Sequence, residues 1–157
     1  MHITNPIKSM KKLKLNNTNA KPVLHVSREA LRKEKICYLA VSNKDIEYPY
    51  RKSRIAYIGT SERGHKRMLE SAGRIAGKVL QKYGITGIDF HVVSCRGKRG
   101  GRSWEWLEKA LLLSFKGIYG SVPFANKQGK GRNDEWGHCL NRFNRESIER
   151  YLRKFEK

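Results

Sequence analysis

The sequence predicts an α+β domain, with a small three-stranded antiparallel sheet flanked by helices and an added C-terminal helix. Three observations carry that expectation. Two short β-prone apolar runs, 36–41 and 55–59, bracket a polar stretch that holds Pro49. A third run, 88–95, alternates apolar and polar residues as a half-buried strand does. Apolar residues at helical spacing then recur in three separate segments.

Taken in order, the run Ile36-Cys37-Tyr38-Leu39-Ala40-Val41 and the run Ile55-Ala56-Tyr57-Ile58-Gly59 predict an antiparallel pair joined by a long hairpin loop. Met68, Leu69, Ala72, Ile75, Ala76, Val79 and Leu80 predict a helix over 61–83. Ser61 is its expected N-cap, and Gly84 stands where it should stop. After the third strand comes a Gly-rich basic loop with Arg96, Lys98, Arg99 and Arg102. It lacks the phosphate-loop pattern of nucleotide enzymes and suits contact with a phosphate backbone. Ser103 is expected to cap a second helix, 104–116, with Trp104, Leu107, Leu111 and Leu112 on its apolar face. The Gly-, Asn- and Lys-rich stretch 117–140 reads as a loop. Asn144 caps a last helix, 145–155, with Ile148, Tyr151, Leu152 and Phe155 as its core stripe.

The chain divides into three regions: a basic N-terminal arm at 1–34, a core at 35–127, and a basic C-terminal extension with a helix at 128–157. The 157 residues carry 34 Lys and Arg against 14 Asp and Glu, a formal net charge of +20. Such an excess attracts polyanions, and with enough apolar residues to build a core it points to nucleic acid as partner. No apolar run approaches the ~18 residues that span a bilayer, so no membrane partner is expected. The odd count of three cysteines gives no complete disulfide framework. Cys37 and Cys95 lie in apolar runs and read as buried thiols, which favours a reducing, cytoplasmic setting. His138-Cys139 has no second ligand pair at zinc spacing.

Tyr57-Ile58-Gly59 ends a strand just before a helix, and Arg67 comes in the first turns of that helix. Glu108 lies on the next helix, and Pro123-Phe124-Ala125-Asn126 comes after it. With the ICY at 36–38, these residues resemble the GIY-YIG nuclease family over about residues 35–127. The resemblance implies a metal-dependent DNA endonuclease, a hydrolase of phosphodiester bonds. It implies that Tyr57 serves as general base or positions the water, that Tyr38 supports it, and that Arg67 holds the scissile phosphate. Glu108 then binds a single divalent metal, magnesium by preference with manganese as the alternative, and Asn126 braces the site.

Those roles agree with elementary chemistry. A phenol titrates near pH ~10, so it is a poor base at neutrality unless nearby cations favour the phenolate. Arg67, Lys66 and a bound metal supply such a field. Guanidinium binds phosphate with two parallel hydrogen bonds and stays charged. Magnesium is commonly held by a lone carboxylate with waters, the substrate completing the shell. Glu105, one turn before Glu108, is the fallback ligand.

The sequence departs from the family pattern at named positions. Ile36 stands where the family favours glycine, and Thr60 where many members have lysine. Ser71 stands where a tyrosine or histidine often assists, and His65 is the neighbour that could take over acid–base help. Lys127, Lys130 and Arg132 extend the expected DNA-facing surface. A stand-alone restriction-type enzyme is the leading subtype, acting as a homodimer on DNA because one such site cuts one strand. The alternatives are a catalytically weak or inactive nucleic-acid-binding module on the same scaffold, or an RNA-binding protein.

Overall fold

The computed structural model describes residues 35–94, 102–127 and 137–156, with only the backbone given for His65, Lys82 and Tyr83. Strand β1 is Ile36–Glu47 and strand β2 is Lys52–Ser61. Both run past their apolar cores, so the hairpin loop is 48–51 rather than the whole polar stretch. The polar residues extend the ladder because their backbones still pair, as at Ile46 opposite Ser53 and Glu47 opposite Lys52. Asn43, Lys44 and Asp45 meanwhile keep their side chains in water.

This pair of strands has one irregularity that bears on the site. Ala40 stands opposite Tyr57, yet Val41 stands opposite Ile55, leaving Ala56 as an extra residue. Such a bulge turns two successive side chains towards one side of the sheet. Ala56 and Tyr57 accordingly pack on one face, while Ile55 and Ile58 pack on the other.

Helix α1 is His65–Tyr83. Ser61 does not cap it: it ends β2, paired with Ile36, and the helix starts four residues later behind Gly64 at φ 61°. Strand pairing thus outcompetes the local capping preference. Gly84 in the left-handed region closes the helix, as expected. Strand β3, Ile88–Val93, pairs antiparallel with β1, giving the order β2-β1-β3. It ends before residue 95, and Cys95 lies outside the described residues.

Helix α2 is Ser103–Tyr119, with Arg102 rather than Ser103 at the N-cap position. It continues three residues beyond the expected 116 because Tyr119 is fully buried, its ring centroid 4.2 Å from that of Phe115. Gly120 ends it at φ 86°, where a Cβ would also lie 2.9 Å from Pro49. A short helix, α3 (Gly137–Leu140), falls in the stretch expected as loop. Helix α4, Arg145–Arg153, begins where Asn144 accepts a hydrogen bond from Ser147 N at 2.9 Å.

The sheet lies between two helical layers. On one face α2 and α4 bury Leu111, Leu112, Phe115, Ile148 and Leu152 against Leu39 and Ile58. On the other, α1 buries Ile75 and Val79 against Ala40, Ile46 and Ala56. The described part of 128–157 is therefore continuous with the core, and Phe155 O accepts from Arg54 N at 3.0 Å. Among the described residues, no helix is long and apolar enough to cross a membrane.

Candidate active site

β2 is an edge strand, and its bulge aims Tyr57 at the α1 side. The phenol folds over Gly59. A Cβ there would sit 2.5 Å from Tyr57 Cε1 and 2.8 Å from its hydroxyl. Any side chain at Gly59 would push aside the ring two residues before it.

Tyr38 stands across the ladder from Gly59, with its ring centroid 5.9 Å from that of Tyr57. It is buried, and burial pushes its pKa up to about 12, against opposing contributions from a Ser71 hydrogen bond and the Arg67 charge. Tyr38 also shares a hydrogen bond with Tyr57. The hydroxyls of Ser71 and Tyr57 thus both lie close to the Tyr38 phenol. Ser71, a buried hydroxyl of α1, is the group that meets Tyr38 from the helix side. No local pattern in the sequence signals this, because the contact joins α1 to β1.

Arg67, in the first turn of α1, lines a cavity of about 450 Å³ with Tyr57, Ser71, Arg74, Asn126 and Lys127. Its side chain is 66% exposed and lies 3.9 Å from Glu70. An exposed pair of that kind contributes little energy, so the guanidinium can exchange it for a phosphate. Arg74 places its guanidinium 5.5 Å from the Tyr57 ring centroid. Sequence reasoning misses it, although two turns of helix separate it from Arg67 on the same face.

Asn126 is 2% exposed. Its Nδ2 donates to Ile58 O at 2.8 Å, and its Oδ1 accepts from Ile58 N at 3.0 Å. Ala125 N donates to Ala56 O at 2.8 Å. The two residues flanking Tyr57 are therefore clamped from outside the sheet, which makes Asn126 a positioning residue.

Glu108 approaches from the opposite face. Thr60 Oγ1 donates to Glu108 Oε2 at 3.3 Å. Thr60 also lines a second cavity, of about 350 Å³, with Lys66, Arg67, Trp104 and Glu105. Glu105 thus faces this cavity directly, while Glu108 touches its wall through Thr60. Arg67 and Glu70 belong to both cavities, so the two adjoin.

Among the described residues, no three His, Cys, Asp or Glu side chains gather as a protein-built metal cage. A magnesium ion does not need one, since one or two carboxylates, waters and substrate oxygens suffice. The Glu108 carboxylate beside the Thr60 hydroxyl fits that hard-oxygen donor set. Cys139 of α3 is a buried free thiol.

The remaining basic positions divide clearly. Lys66 and Lys127 are exposed at the two cavities. Arg102 is exposed and pairs with Glu105 at 3.5 Å. Arg96, Lys98, Arg99, Lys130 and Arg132 lie outside the described residues, as does the side chain of His65 at the start of α1.

Comparison with protein-family models, curated proteins and solved structures finds no match for the chain.

Proposed function

We propose that this chain is a metal-dependent DNA endonuclease that hydrolyses phosphodiester bonds. One observation carries the reading: Tyr57, Arg67 and Asn126 share one cavity at a strand bulge, with Tyr38 buried behind the phenol. In this reading Arg67 forks the scissile phosphate through paired N–H groups. The Tyr57 hydroxyl orients the attacking water, and Tyr38 fixes the hydroxyl. Arg74 and Lys127 draw the neighbouring phosphates into the same cavity. Glu108 with Thr60 would hold the divalent cation, which would supply Lewis-acid stabilisation of the charge that builds on phosphate oxygens.

Nicking of supercoiled plasmid in Mg²⁺ and in EDTA tests the reading. Cutting in Mg²⁺ alone is expected for the wild-type protein, with loss of at least about 100-fold for Tyr57→Phe and Glu108→Ala. DNA binding should survive both changes, because it rests on Lys and Arg. Clean protein that cuts no DNA in Mg²⁺ or Mn²⁺ would sink it.

The Arg67–Glu70 pair favours a second reading. If that pair persists on DNA, the phosphate is never forked, and the chain is a nucleic-acid-binding module that does not cut. Glu70→Gln separates the two, since freeing Arg67 raises cutting only in an enzyme.

A further inference from the structure

Leu107, Leu111 and Leu112 of α2 enter the core, but Trp104 at the start of the same helix does not. Its indole stays half-buried and forms a wall of the cavity of about 350 Å³ that it shares with Thr60, Lys66, Arg67 and Glu105. That volume falls within the roughly 300–1,000 Å³ usual for small-ligand sites. A large aromatic left beside cations in a polar cavity is poor packing and good recognition chemistry.

A second observation comes from another element. Lys35, entering β1, is the one described non-glycine residue at positive φ, 51°. A side chain in that region costs backbone energy and persists only where the surroundings hold it. Here Lys35 N donates to Glu62 O at 3.2 Å, and Glu62 lines the same cavity. The Lys35 ammonium lies over one face of the Trp104 ring, 5.3 Å from its centre, so an incoming base stacks on the indole by displacing it or by taking the other face.

The third is adjacency. Arg67 faces this cavity on one side and the Tyr57 cavity on the other. A phosphate on Arg67 therefore has the hydrolytic phenol to one side and an indole with a nearby ammonium to the other.

We infer that Trp104 is a stacking platform for an unpaired nucleotide next to the scissile phosphate, so that the substrate is DNA with a displaced or single strand at the cut. The inference rests on the nuclease reading above. A base inside a duplex has both faces covered by its neighbours and cannot reach an indole. A splayed or flipped base offers a free face, and stacking on an aromatic ring is tolerant of base identity. Lys35 meets the phosphate joined to that nucleotide.

Binding measured in EDTA, where nothing is cut, tests this on the full chain. The probes are a flap DNA, a single-stranded oligonucleotide and a blunt duplex of equal length. Trp104→Ala should weaken flap and single-strand binding about tenfold or more and leave duplex binding within about twofold. Trp104→Phe, which keeps a ring, should recover most of the loss. A 2-aminopurine at the flap junction should be quenched on binding to the wild-type protein, which needs no variant to fold. Equal weakening on flap and duplex, no weakening on either, or unquenched 2-aminopurine overturns the platform. Flap-selective loss in a protein that never cuts in Mg²⁺ keeps the platform and overturns the nuclease reading.

Discussion

The two faces of the sheet are built from different materials. Under α2 and α4 lie leucines, isoleucines and aromatic rings, among them Leu111, Leu112, Phe115 and Leu152. On the α1 side lie Ile46, Ile75, Val79 and Ile85 with the three alanines Ala40, Ala56 and Ala125, and beside them the polar groups of Tyr38, Ser71 and Asn126, all buried. The first face buries larger apolar side chains, and burial of apolar area is the main stabilising term. The second gives up part of that area to small residues and to the phenols of Tyr38 and Tyr57, a hydroxyl and an amide. Apolar packing thus dominates one side of β2 and the buried polar groups gather on the other, with the Thr60–Glu108 pair as the exception on the packing side.

The largest expected effect breaks the packing face. Leu152→Ala should cost about 2–5 kcal/mol of unfolding free energy, read from urea denaturation. Protein that remains folded should keep its Arg67 cavity and, on the endonuclease reading proposed above, its DNA affinity. Loss of affinity in the folded fraction would show that the two faces are not separate.

The next effect tests the clamp on the site face. Asn126→Ala leaves Ile58 N–H and Ile58 C=O without their side-chain partner. Each unpaired buried group costs about 1–3 kcal/mol. Cutting should fall further than stability alone explains, because the strand around Tyr57 loosens. Activity that merely tracks the folded fraction would reduce Asn126 to a structural residue.

A pH series reaches the same face through Tyr38. Its proton is held to about pH 12, chiefly by burial, against 10 for a free phenol. The folded state therefore binds a proton that the unfolded state releases. The stabilisation is complete below pH 10 and is lost as pH rises from 10 to 12. Its size is up to ~3 kcal/mol, two pH units at 1.36 kcal/mol each. Burial raises the Tyr151 phenol to about 12 as well, so both faces contribute to alkaline unfolding. Tyr38→Phe should flatten part of the decline, and an unchanged profile would remove Tyr38 as a contributor.

Much of this architecture is legible in the sequence, for a physical reason. Tyr57, Gly59 and Arg67 are tied by one strand–helix junction, and local periodicity fixes where they stand. The sheet, α1 and the Asn144 cap come from patterns within a few residues. The features that escape depend on contacts distant in sequence. Ser61 has the chemistry of a cap, but its pairing with Ile36 keeps it in the strand. The Ala56 bulge depends on register against Val41, and Ser71 finds Tyr38 only once α1 lies on the sheet. Helical spacing assigns Trp104 to the core face of its helix, and the structure leaves it at a cavity instead. A helical pattern gives the face but not whether another element covers its first turn.

Gly59→Ala sharpens the comparison with a smaller change in stability. The nearest atoms to the new methyl are all at the far end of the Tyr57 side chain, 2.5–3.0 Å away. The ring can swing aside, so the fold should lose only about 1 kcal/mol, at the low end for overpacking. The phenol then leaves its place over residue 59. A misplacement of about 1 Å at a reacting group can cost ~100-fold in rate. A variant that melts nearly as the wild-type protein does and cuts ~100-fold more slowly would fix the phenol's position as the requirement. A variant that cuts normally would show that Tyr57 acts from elsewhere.

The smallest expected effect runs in the opposite direction. Gly73 and Gly77 lie one turn apart on the exposed side of α1, and beyond their chain neighbours and the helix's own backbone no described atom comes within 4 Å of where a Cβ would stand. Glycine inside a helix costs roughly 0.5–1 kcal/mol relative to alanine. Gly73→Ala and Gly77→Ala should therefore each stabilise the fold, raising the melting temperature by roughly 2–4 °C per kcal/mol. Neither packing face gains or loses a contact, so the gain comes from the backbone alone. DNA affinity decides what the glycines are for. If the stabilised variants bind as before, DNA stops at the Arg67 and Arg74 side chains, and the outer face of α1 is idle. If they bind several-fold more weakly while melting higher, the duplex lies against the bare helix, and the site face extends through α1 to its far side.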